Sequence, residues 1–167
     1  MLQWKILLIG VPDAGKSTLC KALLRHGREV IKTQAPEYHG DMIMDLPGEY
    51  LTHPHLRRVF LSQVHNVKAM LFLAAANDAH LNIPPGLLHT LPGVRVIGVI
   101  TKVDLEDRDI ERTRGFLAAQ GIREPFFEVS SLNEASVAGL RNWLIEQALL
   151  PKPEEQGAQG ETRHHHS

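Results

Sequence analysis

The chain contains a single cysteine, Cys20, which excludes an intramolecular disulfide and fits a reducing compartment. Neither sign of charge is in excess: 18 Lys and Arg stand against 19 Asp and Glu, giving a formal net charge of −1, with the two signs interspersed. There is thus no electrostatic footprint for nucleic acid or for an anionic membrane surface, and partners are expected at a site rather than through a long-range field. No apolar run approaches the ~20 residues of a membrane span. The N-terminus leads straight into a strand-like stretch instead of a signal peptide. These absences point to a cytoplasmic protein with no nucleic-acid and no membrane partner.

What is present fits one domain. A chain of 167 residues can bury one good core and is too short for two ordinary domains. The patterned part is residues 1–150. From Pro151 onward the sequence has almost nothing to bury, so residues 151–167 are expected to be a disordered tail, and His164 to His166 within it are excluded from function.

Short apolar runs alternate with amphipathic stretches, the signature of strand-helix repeats around a parallel sheet. The strand candidates are Gln3–Ile9, His39–Met44, Val67–Ala75, Val94–Ile100 and Pro125–Val129. Helical spacing covers Gly15–His26, Pro54–Val64, Arg108–Gln120 and Glu134–Leu149, and Cys20 is expected to pack inside the first of these helices. Pro84-Pro85-Gly86 predicts a loop followed by a short helix. The fold class is therefore α/β: a mostly parallel sheet of about five strands with helices on both faces. The interval from Lys16 to Asp45 leaves room for a helix, a loop and one strand, so no separate long second strand is expected.

Residues Gly10-Val11-Pro12-Asp13-Ala14-Gly15-Lys16-Ser17 fit G-x-x-x-x-G-K-[ST] at every position and follow the apolar run Trp4 to Ile9. That places a P-loop, a phosphate cradle, at the end of a buried strand. The glycines let successive backbone N–H groups curl around a polyphosphate. Lys16 is expected to reach the β and γ phosphates, Ser17 to ligate Mg²⁺, and Thr18 to follow in the same turn. A helix starting near Gly15 adds its positive end. An ordinary glycine-containing turn is the competing reading, and the placement after a strand disfavours it.

Three further elements sit at strand ends. Asp45-Leu46-Pro47-Gly48 would bring the Asp45 carboxylate to the magnesium shell and let the Gly48 amide approach a γ-phosphate, although Asp-x-Pro-Gly is also a common turn. In Thr101-Lys102-Val103-Asp104, the Lys102 stem can lie over a base plane and Asp104 can accept from the N1–H and exocyclic amino group of guanine. Adenine lacks that pair of donors on one edge, and the alternative role of Asp104 is a helix N-cap. Val129-Ser130-Ser131 can turn backbone amides toward a base oxygen. All four elements lie at carboxyl ends of strands, where open parallel sheets bind ligands.

The set resembles the small GTPases, with Thr101 where they usually carry Asn and Ser130-Ser131 where they carry Ser-Ala. More narrowly, Ile9-Gly10-x-Pro12-x-x-Gly15-Lys16-Ser17, Lys32-Thr33-Gln34-Ala35, Asp45-x-Pro47-Gly48-Glu49-Tyr50-Leu51 and Gly98-Val99-Ile100-Thr101-Lys102-x-Asp104-Leu105 are similar to the EutP/PduV family. These are small P-loop proteins of bacterial ethanolamine and propanediol utilisation. The likeness spans Trp4 to about Leu149 and leaves out the tail.

The resemblance implies that Thr33 is a switch residue meeting Mg²⁺ and the γ-phosphate. Glu49 stands where many small GTPases place a water-orienting glutamine. A carboxylate there can position water but also repels the γ-phosphate, which puts efficient hydrolysis in doubt. Arg57 and Arg58 read as a solvated helix face rather than an arginine finger, and His53 and His55 as solvated loop residues rather than metal ligands. Trp143, with Leu140, Leu144 and Ala148, reads as core. Three functions follow, in this order: a GTP- and GDP-binding protein with Mg²⁺ and slow hydrolysis; an ATP-using phosphotransferase to a short carboxylate; and an adaptor with structural nucleotide, docking on a bacterial microcompartment shell or its pathway enzymes.

Overall fold

The computed structural model describes residues 6–11, 13–24, 37–39, 43–78, 80, 81, 83, 84, 86–88, 91 and 93–150. Pro12, Thr33 and its Lys32 to Ala35 segment, the start of the first predicted strand, the end of the first predicted helix and the tail 151–167 lie outside the described residues.

The elements run β1 (Ile6–Gly10), α1 (Lys16–Leu24), β2 (Glu37–His39), β3 (Ile43–Asp45), α2 (Glu49–Thr52), α3 (Pro54–Val64), β4 (Ala69–Ala75), β5 (Arg95–Thr101), α4 (Ile110–Ala119), β6 (Phe127–Glu128) and α5 (Glu134–Glu146). One sheet holds the strands in the order β2-β3-β1-β4-β5-β6. Five of them are parallel, as the sequence predicts, and β2 runs antiparallel to β3 at one edge. All seven residues of β4, Ala-Met-Leu-Phe-Leu-Ala-Ala, are buried, the continuous apolar run of a strand covered on both faces.

Alternation along the strands divides the core into two layers. Ile6, Leu8, Leu71, Leu73, Ile97 and Val99 pack with Leu19, Cys20 and Leu23 of α1 and Val137, Leu140 and Leu144 of α5. Leu7, Ile9, Met70, Phe72 and Ile100 face the other way, against Tyr50 and Leu51 of α2, Phe60 and Val64 of α3, and Leu117 of α4. Neighbouring strands β1 and β3 therefore send their following helices to opposite faces. A crevice opens at their carboxyl ends for that topological reason, whatever residues occupy it.

The differences from the sequence reading have local causes. The strand predicted over His39–Met44 is two strands, paired antiparallel with His39 opposite Ile43; Gly40-Asp41, a turn-forming pair, lies between them. The strand predicted over Pro125–Val129 is only Phe127–Glu128, because a proline cannot donate to a ladder. The last helix stops at Glu146 rather than Leu149. Ala148 adopts a left-handed φ of 58°, its N–H donates to the Ile145 carbonyl at 3.0 Å, and the Leu149 N–H donates to the Leu144 carbonyl at 2.9 Å. This is a Schellman end with alanine where glycine is usual, so no glycine marked it, and Ala148 is exposed rather than core. After Pro84 a turn closed by the Leu87 N–H on the Pro84 carbonyl at 3.2 Å leads into a 3-10 turn at Leu88, where the short helix was expected; residues 89 and 90 lie outside the described residues. Trp143 is half-buried at the rim of its layer, 4.8 Å from the Phe127 ring.

α1 is held at its far end by a residue with no motif. Arg141 of α5 is buried, at 5 % exposure, and its guanidinium donates to the Leu23 carbonyl at 3.1 Å and to the Ala22 carbonyl. Those carbonyls belong to the last described residues of α1, so the guanidinium ties α5 to that part of the helix. Replacing Arg141 with Met keeps the apolar stem and removes the donors. The expected loss of unfolding free energy in urea titration is about 2 kcal/mol, and a loss under ~0.5 kcal/mol would show that the guanidinium does not hold α1 to α5.

Candidate functional site

The turn between β1 and α1 is held from outside. The Val11 N–H continues the sheet by donating to the Leu73 carbonyl at 3.1 Å, and the Ala14 N–H donates back to the Val11 carbonyl at 3.2 Å. Two loop amides are thus engaged within the protein, which leaves the first turn of α1, Lys16 to Thr18, as the ready source of donors. Asp13 and Gly15 take left-handed φ values of 59° and 80°, the alternation that bends a backbone into a concave nest. Thr18 is exposed, and Lys16 and Ser17 are half-buried.

β3 and β5 complete the crevice. The Ser17 hydroxyl donates to Asp45 Oδ2 at 3.1 Å, joining α1 to the end of β3, and Asp45 is only 6 % exposed. A hydroxyl and a buried carboxylate beside this concave turn form an oxygen donor set that could hold Mg²⁺, which takes one or two protein oxygens and the rest from phosphate and water. Gly48 packs so tightly that a Cβ would lie 2.2 Å from the Gly10 carbonyl oxygen. Its lack of a side chain is therefore required by the protein's own backbone. Glu49 opens α2 directly behind it and is half-buried.

Thr101 ends β5 and is buried, and its hydroxyl donates to the Ala14 carbonyl at 2.7 Å across 87 positions of sequence. Its observed role is to tie the cradle to the sheet. Lys102 follows with a left-handed φ of 58°, which turns the chain sharply toward Asp104. Asp104 is exposed, and its Oδ1 accepts the Ser130 hydroxyl at 2.7 Å. The same Ser130 oxygen accepts the Leu132 N–H at 3.2 Å, and the Ser130 N–H donates to Ser136 Oγ at 3.0 Å. Asp104 is therefore oriented by the loop after β6; Asp109, not Asp104, caps α4 by accepting the Arg112 N–H at 3.0 Å. Ser131 is exposed beside this loop.

The structure thus brings Ser17 to Asp45, Gly48 to Gly10, Thr101 to the cradle and Ser130 to Asp104. The sequence model described as ethanolamine utilisation - propanediol utilisation (PduV-EutP) matches residues 3–146. The chain belongs to the PduV-EutP family. It is 38 % identical over 155 residues to a Salmonella typhimurium protein named "Probable acetate kinase EutP", covering 92 % of this chain and 95 % of that one. A protein of the same name from Escherichia coli (strain K12) is 37 % identical over 161 residues, covering 96 % and 98 %.

Two contacts in this PduV-EutP chain had no signature in the motifs. Arg57, expected on a solvated face, is half-buried, with Nε donating to the Leu51 carbonyl at 3.2 Å and Nη2 to the Thr52 carbonyl at 3.4 Å. It closes the end of the short α2, whereas Arg58 is exposed as expected. At the other side, Asn133 caps α5 by accepting the Ala135 N–H at 3.1 Å, and the Ser136 hydroxyl donates to the Asn133 carbonyl at 2.7 Å. Asn-x-x-Ser is the signal that could have revealed this second support of the Ser130 loop. His53 and His55 are both exposed, and no group of three metal-ligating side chains occurs among the described residues.

Substitutions at two positions test the supports. Gly48→Ala forces backbone apart and is expected to cost about 1–3 kcal/mol in denaturant unfolding. Thr101→Val keeps the shape, leaves the Ala14 carbonyl without its hydroxyl donor and should cost about 1–2 kcal/mol, while Thr101→Ser should recover most of it. Equal stability of the Val and Ser variants would show that the Thr101 hydroxyl does not hold the turn.

Proposed function

We propose that this protein binds GTP and GDP with Mg²⁺ at the carboxyl edge of the sheet and hydrolyses GTP slowly. The observation that carries this reading is the exposed Asp104 carboxylate, held by the Ser130 hydroxyl at 2.7 Å on the strand end that also tethers the cradle. A fixed carboxylate accepts the two donors on guanine's Watson–Crick edge and finds no such pair on adenine. Lys16 and the first-turn amides of α1 neutralise and orient the phosphates. Ser17 and Asp45 would hold Mg²⁺, which when bound neutralises charge on the phosphate oxygens. Thr33 takes the switch role. Glu49, next to Gly48, positions water while its charge opposes the phosphates, which accounts for slow turnover.

A second reading is favoured by the name of the two relatives, probable acetate kinase. It requires an ATP-bound state and a cationic clamp for a carboxylate beside the γ-phosphate. Arg57 is committed to the carbonyls of α2, so it does not supply that clamp in this arrangement. An adaptor role, docking on a microcompartment shell or its enzymes, requires no turnover at all. No helix among the described residues is long and apolar enough to cross a membrane.

Titration of the wild type and of Asp104→Ala with Mg-GTP, Mg-GDP and Mg-ATP discriminates these readings. Guanine binding that falls at least about 100-fold in the variant, a loss of roughly 2.7 kcal/mol, with weak ATP binding throughout, is the expected result. ATP preference indifferent to Asp104, together with acetyl phosphate formed from ATP and acetate, would replace it with the phosphotransferase. Lys16→Ala should abolish triphosphate binding with an unchanged unfolding midpoint.

A further inference from the structure

At the amino end of β5, on the opposite edge of the sheet from the phosphate cradle, lies a cleft of about 350 Å³ walled by Arg95, Val96, Ile122, Arg123, Pro125 and Trp143. Its volume is in the range of pockets that hold ligands. Ile122 belongs to the α2–α4 layer and Trp143 packs on the α1–α5 layer, so the cleft is a slot at the rim of the sheet between the two helix layers. That is the position the next strand of a sheet would occupy.

The floor of the slot is the edge of β5. The Thr101 carbonyl accepts the Ala76 N–H at 2.8 Å and the Arg95 N–H donates to the Lys68 carbonyl at 3.2 Å, so odd-numbered residues of β5 turn their backbone groups toward β4. The Ile100 carbonyl accepts the Val129 N–H at 2.8 Å, so even-numbered residues face β6. Among the described residues β6 pairs with β5 only at Val99 and Ile100. Continued backward, the register would require residue 125 to donate its N–H to the Val96 carbonyl. Residue 125 is a proline, and the ladder stops. Among the described residues the Val96 N–H and C=O have no backbone partner, and both are directed at the slot.

Its charge is one-sided. The Arg95 guanidinium lies 4.7 Å over the Trp143 ring and donates to Gln147 Oε1 at 2.8 Å, which holds it in place while it remains exposed. Arg123 is exposed at the slot. Glu124, the acidic residue lining it, is already bridged to Arg114 at 3.1 Å. Two guanidiniums suited to carboxylates thus flank an incomplete strand edge.

We propose that this slot takes an extended acidic segment of a partner protein, added to β5 as a further strand ahead of β6. Backbone pairing at Val96 supplies the register, alternate side chains enter the apolar walls, and carboxylates meet Arg95 and Arg123. This site is independent of the nucleotide.

Fluorescein-labelled, N-acetylated and amidated Thr-Val-Glu-Val-Glu-Val-Thr, and versions with Gln or Lys in place of both Glu, are titrated by anisotropy. The Val96 amide is followed by NMR. The Glu peptide is expected to bind at least about tenfold more tightly than the Lys peptide and to shift the Val96 amide; Arg123→Ala should weaken it about tenfold, and methylation of its central backbone nitrogens should abolish binding. Mg-nucleotide binding by Arg123→Ala should equal wild type, which checks the fold. Absence of binding by all three peptides, equal binding of the Glu and Lys peptides, or insensitivity to both Arg123→Ala and backbone methylation overturns the proposal. Displacement of the peptide by N-acetylglutamate at equal concentration would also overturn it, making the slot a small-carboxylate site.

Discussion

The turn between β1 and α1 has to be held from outside, because a loop cannot fix the direction of its own backbone N–H groups alone. Here the restraint is the hydrogen bond from the Thr101 hydroxyl to the Ala14 carbonyl, inside the protein and 87 positions away in sequence. The Val11 N–H on the Leu73 carbonyl and the contact of Gly48 with the Gly10 carbonyl restrain the same turn from β4 and from the start of α2. Each is worth on the order of 1 kcal/mol net, a modest sum. Their positional effect is larger: with both ends of the turn fixed, α1 starts where Ser17 can reach Asp45, and donors are in place without reorganisation.

The same logic extends through α5, whose two ends serve different parts of the site. Near its start, Asn133 and Ser136 hold the loop from which Ser130 orients Asp104. Two turns later, Arg141 donates to the Leu23 and Ala22 carbonyls of α1. The loop that orients Asp104 and the helix that follows the β1 turn are therefore braced by one helix. Buried polar side chains that each satisfy backbone groups of another element fix relative position in a way apolar packing, which tolerates sliding, does not.

How much of this was readable in advance follows from where the physics is local. The places of the β1 turn, of Asp45 to Gly48 and of Asp104 at strand ends were legible because each is a run of particular residues at adjacent positions after an apolar stretch. The parallel sheet was legible because a strand buried on both faces, such as β4, must be apolar throughout. The division into β2 and β3 was not, since a three-residue edge strand leaves little periodicity to read. The four-residue α2, the left-handed Ala148 and the roles of Arg57 and Arg141 were equally hidden. Each is settled by the partner that the fold brings up, and an arginine that will cap a distant helix has no local mark in sequence. Thr101 is the instructive middle case: its place was flagged by the motif, while its act, holding Ala14 rather than a base, needed the tertiary contact.

β5 joins the two edges of the sheet, with Thr101 at the cradle and Val96 at the opposite slot, about 16 Å apart at ~3.3 Å per residue. Coupling between them would require an element with two arrangements that both sites bias. β5 is not one: it pairs with β4 along its whole length, from Arg95 opposite Ala69 to Thr101 opposite Ala75, and Ile97 to Ile100 are buried. A slip of one residue would turn every one of those side chains to the wrong layer. The strand therefore acts as a rigid floor shared by two sites rather than as a lever between them. A partner seated at the amino edge would add a binding surface to the protein without altering what the carboxyl edge holds.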